Sequence, residues 1–184
     1  MKRMILALFL LAGCREELAA LPAPVELNAD AVGHFCQMNL LEHDGPKAQV
    51  HLAGLSGHPL FFSQVRDAVA YMRLPEQSAT VLGVYVNDMG AVGATWKEPG
   101  ATNWINAEDA VFVIGSAQAG GMGAPELVPF GDMASAQAFA DVNGGQAMAL
   151  HDVPDTAVLG ADEPVNLTDG ADYTARLKRL NGGN

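Results

Sequence analysis

The segment from His58 to Arg73 reads HPLFFSQVRDAVAYMR and combines an extended stretch with an amphipathic helix. Pro59 disfavours helical backbone at the residue before it, so residues 58–62 are predicted to be extended. Ser63 is a favourable N-cap and is predicted to begin the helix, which Pro75 ends. One face of this helix is apolar at the expected spacing, with Val65, Ala68, Val69 and Met72.

Strands are predicted on both sides of this segment. Residues 46–52 alternate, with Ala48, Val50 and Leu52 on one face. Residues 80–86 are rich in β-branched and aromatic side chains, which are typical of strands. The first half of the chain, residues 32–90, is therefore predicted to form a β-β-α-β unit.

The second half repeats this plan over residues 91–153. Strands are predicted at 109–115 and 146–150, with an extended segment at 127–130 and a helix capped by Asp132. Each unit is too small to bury much core alone. We therefore predict an α+β fold in which two similar small β-β-α-β units pack together, followed by a mostly disordered tail at 154–184 with one possible short helix at 172–180.

The N-terminus has the features of an export signal. Two basic residues precede an apolar run from Ile5 to Ala12, which is too short to cross a bilayer. The sequence Leu-Ala-Gly-Cys that ends at Cys14 resembles the lipobox of bacterial lipoproteins. We expect a signal peptide at 1–13 and a lipid on Cys14, followed by a flexible linker to residue 31. Arg15 indicates the outer membrane under the enteric sorting rule, so the protein is expected on the periplasmic face of that membrane.

The charge of the chain excludes some partners. The 184 residues include 10 basic and 21 acidic side chains, for a formal net charge of −11. Removal of the signal peptide takes away Lys2 and Arg3 and changes this charge to −13. Such an acidic protein would be repelled by nucleic acid, so nucleic acid is not an expected partner.

Cys36 is the one cysteine that would remain free beside a lipidated Cys14. The chain reads His34-Phe35-Cys36-Gln37-Met38, and in an extended or loop conformation residues two apart can point the same way. A thiolate and a thioether are soft donors, and soft donors select Cu(I). A lone cysteine near a methionine is more often core filler, so the spacing alone leaves both interpretations open.

Three motifs together resemble those of the NosL family. Phe35-Cys36-Gln37-Met38 is followed by Glu-His-Asp-Gly-Pro-Lys-Ala-Gln from Glu42, and the second half carries Gly-Met-Gly-Ala-Pro at 121–125 and Val-Pro-Phe-Gly at 128–131. The resemblance spans about residues 32–150. It implies a two-unit architecture akin to the organomercury lyase core. One departure is Gln37, where family members often carry glycine.

The resemblance implies a function and a ligand set. Members of the family are lipoproteins that act as copper chaperones, supplying copper for assembly of the copper–sulfide centre of nitrous oxide reductase. Cys36 and Met38 match the family's metal motif, and Met122, between two glycines, is the expected third ligand. His34 and His43 are further candidates. The expected partners are nitrous oxide reductase and the membrane transporter of its maturation system.

An exported thiol enzyme is the alternative hypothesis. Cys36 would then be a nucleophile, with His34 or His43 as its base. The sequence matches no known thiol-peroxidase or transglutaminase signature and has no resolving cysteine. One cysteine is also too few for the paired-thiolate chemistry of an organomercury lyase. The sequence thus favours a non-enzymatic copper protein.

Overall fold

The computed structural model describes residues 21–160. The predicted signal peptide, the predicted lipid site at Cys14 and the predicted tail beyond residue 160, with its possible helix at 172–180, lie outside the described residues. Within residues 21–160, no helix combines the length and apolar character needed to span a bilayer.

The first half of the described chain has the element order strand, strand, helix, strand. These elements are β1 (Ala48–Leu52), β2 (Leu60–Phe62), α1 (Val65–Arg73) and β3 (Val81–Asn87). β1 pairs antiparallel with both β2 and β3, so it lies between them. β4 (Trp104–Asn106) then pairs with β3 and completes a sheet of order β2-β1-β3-β4.

The second half has the same element order. It consists of β5 (Val111–Ile114), β6 (Val128–Phe130), α2 (Met133–Asn143) and β7 (Gln146–Ala149). The sheet order is β6-β5-β7, so again the first strand lies between the other two and all pairings are antiparallel. The described chain is thus an α+β fold with two antiparallel sheets and few helices. β4 lies within residues 91–153 yet extends the first sheet. It pairs antiparallel with β3, and Ile105 lies opposite Val86.

The two longer helices begin differently. The Asp132 carboxylate accepts a hydrogen bond from the backbone N–H of Ser135 at 2.9 Å, which confirms the predicted cap of α2. The prediction that Ser63 caps α1 is wrong, because Gln64 occupies the N-cap position. The Gln64 side chain makes no capping bond to its own helix within the described residues.

The main hydrophobic core contains residues from both halves. Val50 and Phe62 from the first sheet pack with Val69 from α1 and with Phe112 and Leu127 from the second half, and all five are almost fully buried. Each half therefore buries apolar surface against the other, as expected for units too small to form a sufficient core alone.

Residues 21–31, which we call the N-terminal strap, lie against the first sheet. The Gln49 side chain accepts a hydrogen bond from Val25 N–H at 2.7 Å and donates one to Val25 O at 2.9 Å. Tyr85 donates its hydroxyl hydrogen to Pro22 O at 2.6 Å. The prediction of a flexible linker up to residue 31 is therefore wrong from residue 21 onward. The polar outer face of the sheet holds this segment in place.

The fold also continues beyond residue 153, where the sequence predicts a flexible tail. A short helix, α3 (Asp155–Val158), packs against α1, and Val158 is 2% exposed. The Arg73 guanidinium donates to Val153 O at 2.8 Å and to the Asp155 carboxylate at 2.9 Å. These contacts close the open end of the core, so residues 154–158 belong to the folded domain.

Candidate metal centre

Cys36 and Met38 lie on a closed loop that precedes the first sheet. Gly33 N–H donates to Met38 O, and Leu40 N–H donates to Ala31 O, each at 3.0 Å. Gln37, between the two sulfur residues, has φ +55°. This left-handed conformation favours glycine, so the residue at position 37 sets the shape of the loop. Cys36 and Met38 are therefore presented by a turn and not by a strand.

Both sulfur side chains of this loop are accessible. Cys36 is half-buried, with its Sγ 3.9 Å from Met38 O, and Met38 is 40% exposed. Gly33 leaves room for the thiol, since a side chain at position 33 would collide with Cys36 Sγ. The loop thus presents a thiol and a thioether two residues apart, and both are accessible.

Met122 lies on a glycine-rich loop between β5 and β6. Gly120 N–H donates to Ala124 O, and Gly123 N–H donates to Gly120 O, both at 2.8 Å. Gly123 has φ +80°, which glycine adopts without strain. Met122 N–H donates to Gln64 Oε1 at 2.7 Å, and the Met122 side chain is 46% exposed. The backbone of this loop is therefore fixed while its thioether remains free.

His43 contacts the Met122 loop directly. Its Nδ1 lies 3.1 Å from Gly121 O, and because a carbonyl oxygen only accepts, Nδ1 carries the hydrogen. The lone pair is then on Nε2, which is buried and has no hydrogen-bond partner among residues 21–160. Metal-bound histidines commonly donate their other ring N–H to a carbonyl group in this way.

The Lys47 ammonium holds the backbone of the segment that carries His43. Its ammonium donates to His43 O at 2.7 Å and to Asp44 O at 3.2 Å, and the residue is 1% exposed. Burial lowers the pKa of Lys47 to about 8, although the nearby groups of Glu126, Asp44 and Cys36 oppose this lowering. These hydrogen bonds fix the backbone of the segment that carries His43.

His34 has different surroundings. Its ring centroid lies 5.5 Å from that of Phe35, 5.6 Å from that of Phe62 and 5.4 Å from that of Tyr71. Its backbone N–H donates to Phe61 O at 2.6 Å. The structure thus brings Cys36 and Met38 together on one loop and Met122 beside His43, whereas the His34 ring packs in an aromatic cluster.

Two of the three candidate sulfur ligands are methionines, Met38 and Met122. Across residues 21–160, no three or more His, Cys, Asp and Glu side chains are arranged to hold a metal ion. Thioethers are soft donors that Cu(I) accepts, so both methionines remain candidate ligands. Met133 is 54% exposed at the start of α2, on the surface of the second half.

Sequence reasoning missed two buried polar residues next to the Met122 loop. Gln64 is fully buried and Glu126 is 2% exposed. Burial raises the pKa of Glu126 to about 8, while the N–H groups of Arg66 and Leu127, each 2.9 Å from its Oε1, oppose this rise. No sequence signal identifies these residues, because glutamine and glutamate are most often exposed.

A substitution at Gly121 tests whether the loop is seated as described. A Cβ there would lie 2.7 Å from His43 Cβ and 2.9 Å from Asp44 O. We expect Gly121→Ala to lower the free energy of unfolding by about 1–3 kcal/mol, because the backbone of one of the two segments must move. Urea denaturation measures this change. Gly54→Asn is the control, since position 54 has open space and asparagine tolerates its φ of +86°. Equal stability of the Gly121→Ala and native proteins would contradict the contact.

Comparison with known proteins gives a consistent result. The NosL family model matches residues 24–158. The copper-binding lipoprotein NosL of Achromobacter cycloclastes is 54% identical over 176 residues, which cover 95% of this chain and 91% of that protein. The copper-binding lipoprotein NosL of Stutzerimonas stutzeri is 30% identical over 158 residues, covering 84% of this chain and 79% of that protein.

A solved structure has the same fold. The crystal structure of the copper chaperone NosL from Shewanella denitrificans is similar with a TM-score of 0.65 and 28% sequence identity. The similarity covers 73% of this chain and 97% of that one. The two-sheet architecture therefore matches over nearly the whole of the solved protein.

Proposed function

This chain belongs to the NosL family, and we propose that it holds Cu(I) with Cys36, Met38 and Met122 and passes the ion to a partner protein. It is a copper-binding lipoprotein and a copper chaperone, and the family is not enzymatic. The hypothesis that Cys36 is the nucleophile of a thiol enzyme is therefore set aside.

The loop that carries Cys36 and Met38 is the observation that supports the proposed site most directly. It holds a thiol and a thioether on either side of one left-handed residue, with both side chains accessible. These soft donors favour Cu(I) over Zn²⁺, which usually takes four nitrogen or sulfur donors, or three and water. Binding as thiolate also releases the thiol proton, so the affinity should rise with pH.

Met122 is the proposed third ligand. It is half-exposed on a loop that rests on the His43 segment, near the Lys47 ammonium. His43 is the better nitrogen candidate, because its Nε2 carries a lone pair without a partner in the described part of the chain. His34 is the weaker candidate, since its ring is engaged by three aromatic rings.

The remaining proposals concern location, partners and organisation. We place the lipid on Cys14 after a signal peptide at 1–13, and the protein on the periplasmic face of the outer membrane. Nitrous oxide reductase is the proposed recipient, with the transporter of its maturation system as a docking partner and no role for nucleic acid. We take residues 32–90 and 91–153 as two copies of one β-β-α-β unit, to which β4 is added.

The transfer follows from the small number of ligands. A Cu(I) ion held by two or three sulfur atoms keeps a coordination position open. A donor atom of the partner protein can therefore bind the ion before the ligands of the chaperone dissociate. The accessible Met122 thioether is the ligand we expect to leave first, because it comes from a separate loop of the second half. Copper would then move by stepwise ligand exchange without being released to solvent.

Anaerobic titration of the full chain with Cu(I) and a competing chelator tests the proposal. We expect one tightly bound ion per chain, with Cys36 protected from alkylation, as read by mass spectrometry of its peptide. If Cys36 is not a ligand, its thiol should be alkylated to the same extent with and without Cu(I). Absence of stoichiometric uptake, or full alkylation of Cys36 in the loaded protein, would rule out the site.

A further inference from the structure

Two buried side chains exchange hydrogen bonds between the halves of the molecule. Gln64 stands at the N-cap position of α1, with φ −134° and ψ 139°, and its Oε1 accepts from Met122 N–H of the second half at 2.7 Å. In return, Glu126 of the second half accepts from Arg66 N–H, in the first turn of α1, at 2.9 Å. Glu126 thus satisfies an N-terminal N–H of α1 that a capping side chain would otherwise take, and the oxygen of Gln64 is available for the Met122 loop.

Close packing restricts the position of this pair. A Cβ on Gly120 would lie 2.5 Å from Glu126 Oε2 and 2.8 Å from Gln64 Cδ, so both side chains press against the backbone at the start of the Met122 loop. Gln64 is fully buried and Glu126 nearly so. The amide of Gln64 therefore has little freedom to turn away from Met122.

We infer that Gln64 is a positioning residue for copper binding, one that holds the Met122 backbone of the second half against the first half, which carries Cys36. This inference rests on the proposed function, since it matters only if Met122 is a ligand. The hydrogen bond fixes the base of the Met122 side chain and leaves the thioether free to reach the ion. Without this hydrogen bond, the glycine-flanked loop is more mobile in the apo-protein. Copper binding then costs more conformational entropy, and the affinity falls.

A double-mutant cycle between Gln64 and Met122 tests the inference in the full chain, with Cu(I) affinity measured against a chelator. Gln64→Leu removes the acceptor without adding a sulfur donor. We expect it to weaken binding about five- to tenfold when Met122 is present, as for loss of one buried hydrogen bond. In the Met122→Ala background we expect Gln64→Leu to cause less than about a twofold further loss of affinity. Gln64 acts through Met122, whose thioether is absent from this background.

Controls separate this role from a general effect on folding. Gln137→Leu alters an exposed glutamine on α2 and should leave Cu(I) affinity unchanged. Gln64→Asn keeps the amide but is too short to reach Met122 N–H, so it repeats the test if the leucine variant does not fold. Thermal unfolding of each apo-protein shows whether a variant that binds Cu(I) more weakly is also less stable than the native protein.

Three outcomes would overturn the inference. In the first, both Gln64 variants bind Cu(I) with native affinity while Met122→Ala binds it more weakly. This result contradicts the positioning role and leaves the proposed site intact. An equal loss from Gln64→Leu with and without Met122 means that Gln64 acts elsewhere. Native affinity in Met122→Ala removes Met122 from the ligand set, and the inference fails with it.

Discussion

Replacing Cys36 with serine is expected to lower the Cu(I) affinity of the full chain more than any other single substitution. Cys36 is the free thiol of the described chain, and a serine hydroxyl is a hard, neutral donor that Cu(I) binds poorly. Loss of an outer-shell partner of a metal ligand costs roughly 10- to 100-fold in affinity, so loss of the thiolate itself should exceed about 100-fold. Competition with a Cu(I) chelator under anaerobic conditions measures the change.

Met133→Leu is the matched control for loss of sulfur. Met133 is exposed at the start of α2, outside the proposed ligand set, so its removal should leave Cu(I) affinity unchanged. The serine side chain fits the space of the thiol, and the apo-protein should unfold at nearly the native temperature. A Cys36→Ser protein that retains native affinity would contradict the assignment of this loop as the site.

Glu126→Gln is expected to remove much of the pH dependence of stability between pH 4.5 and pH 8. Burial raises the pKa of Glu126 from 4.5 to about 8, so in this range the native protein holds a proton that the unfolded chain has lost. Stability from this group is therefore complete below pH 4.5 and falls as the pH rises towards 8. Over the whole range the loss amounts to roughly 4 kcal/mol, and an amide, which does not ionise, avoids it.

Urea denaturation at pH 5, 6.5 and 8 measures this effect. The Glu126→Gln protein should become the more stable of the two as the pH rises, since the amide oxygen can still accept from the two N–H groups. The series stops at pH 8 because Lys47, whose pKa burial lowers to about 8, contributes in the opposite direction above it. Glu76→Gln, at an exposed position, should keep the native profile. Parallel profiles for Glu126→Gln and the native protein would show that Glu126 does not control the dependence.

The helices and most strands follow from the sequence because their patterns are local. The apolar stripe of α1 lies within about two helical turns, and the Asp132 cap of α2 lies within one. β4 and the N-terminal strap are different, because each depends on a distant partner. β4 is a three-residue strand that pairs with the edge of β3, and the strap is held by Gln49 and Tyr85. No spacing in the sequence signals such long-range pairing.

The candidate site divides in the same way. Cys36 and Met38 are close in sequence and chemically distinctive, so their pairing can be predicted from the residues alone. Met122 can be predicted only through the family resemblance. Gln64 and Glu126 could not be found, because their importance comes from burial between the two halves, and the residue types themselves favour the surface.

The N-terminal strap also limits how far the protein can stand from its membrane. Seven residues lie between the proposed lipid-bearing Cys14 and Pro22, whose carbonyl oxygen accepts a hydrogen bond from Tyr85. A chain extends by at most about 3.6 Å per residue, so this span cannot exceed about 30 Å. That length is about the diameter of a small domain. With a lipid on Cys14, Pro22 would stay within this distance of the bilayer surface, and a longer spacer inserted before Pro22 would widen the zone that the protein can reach.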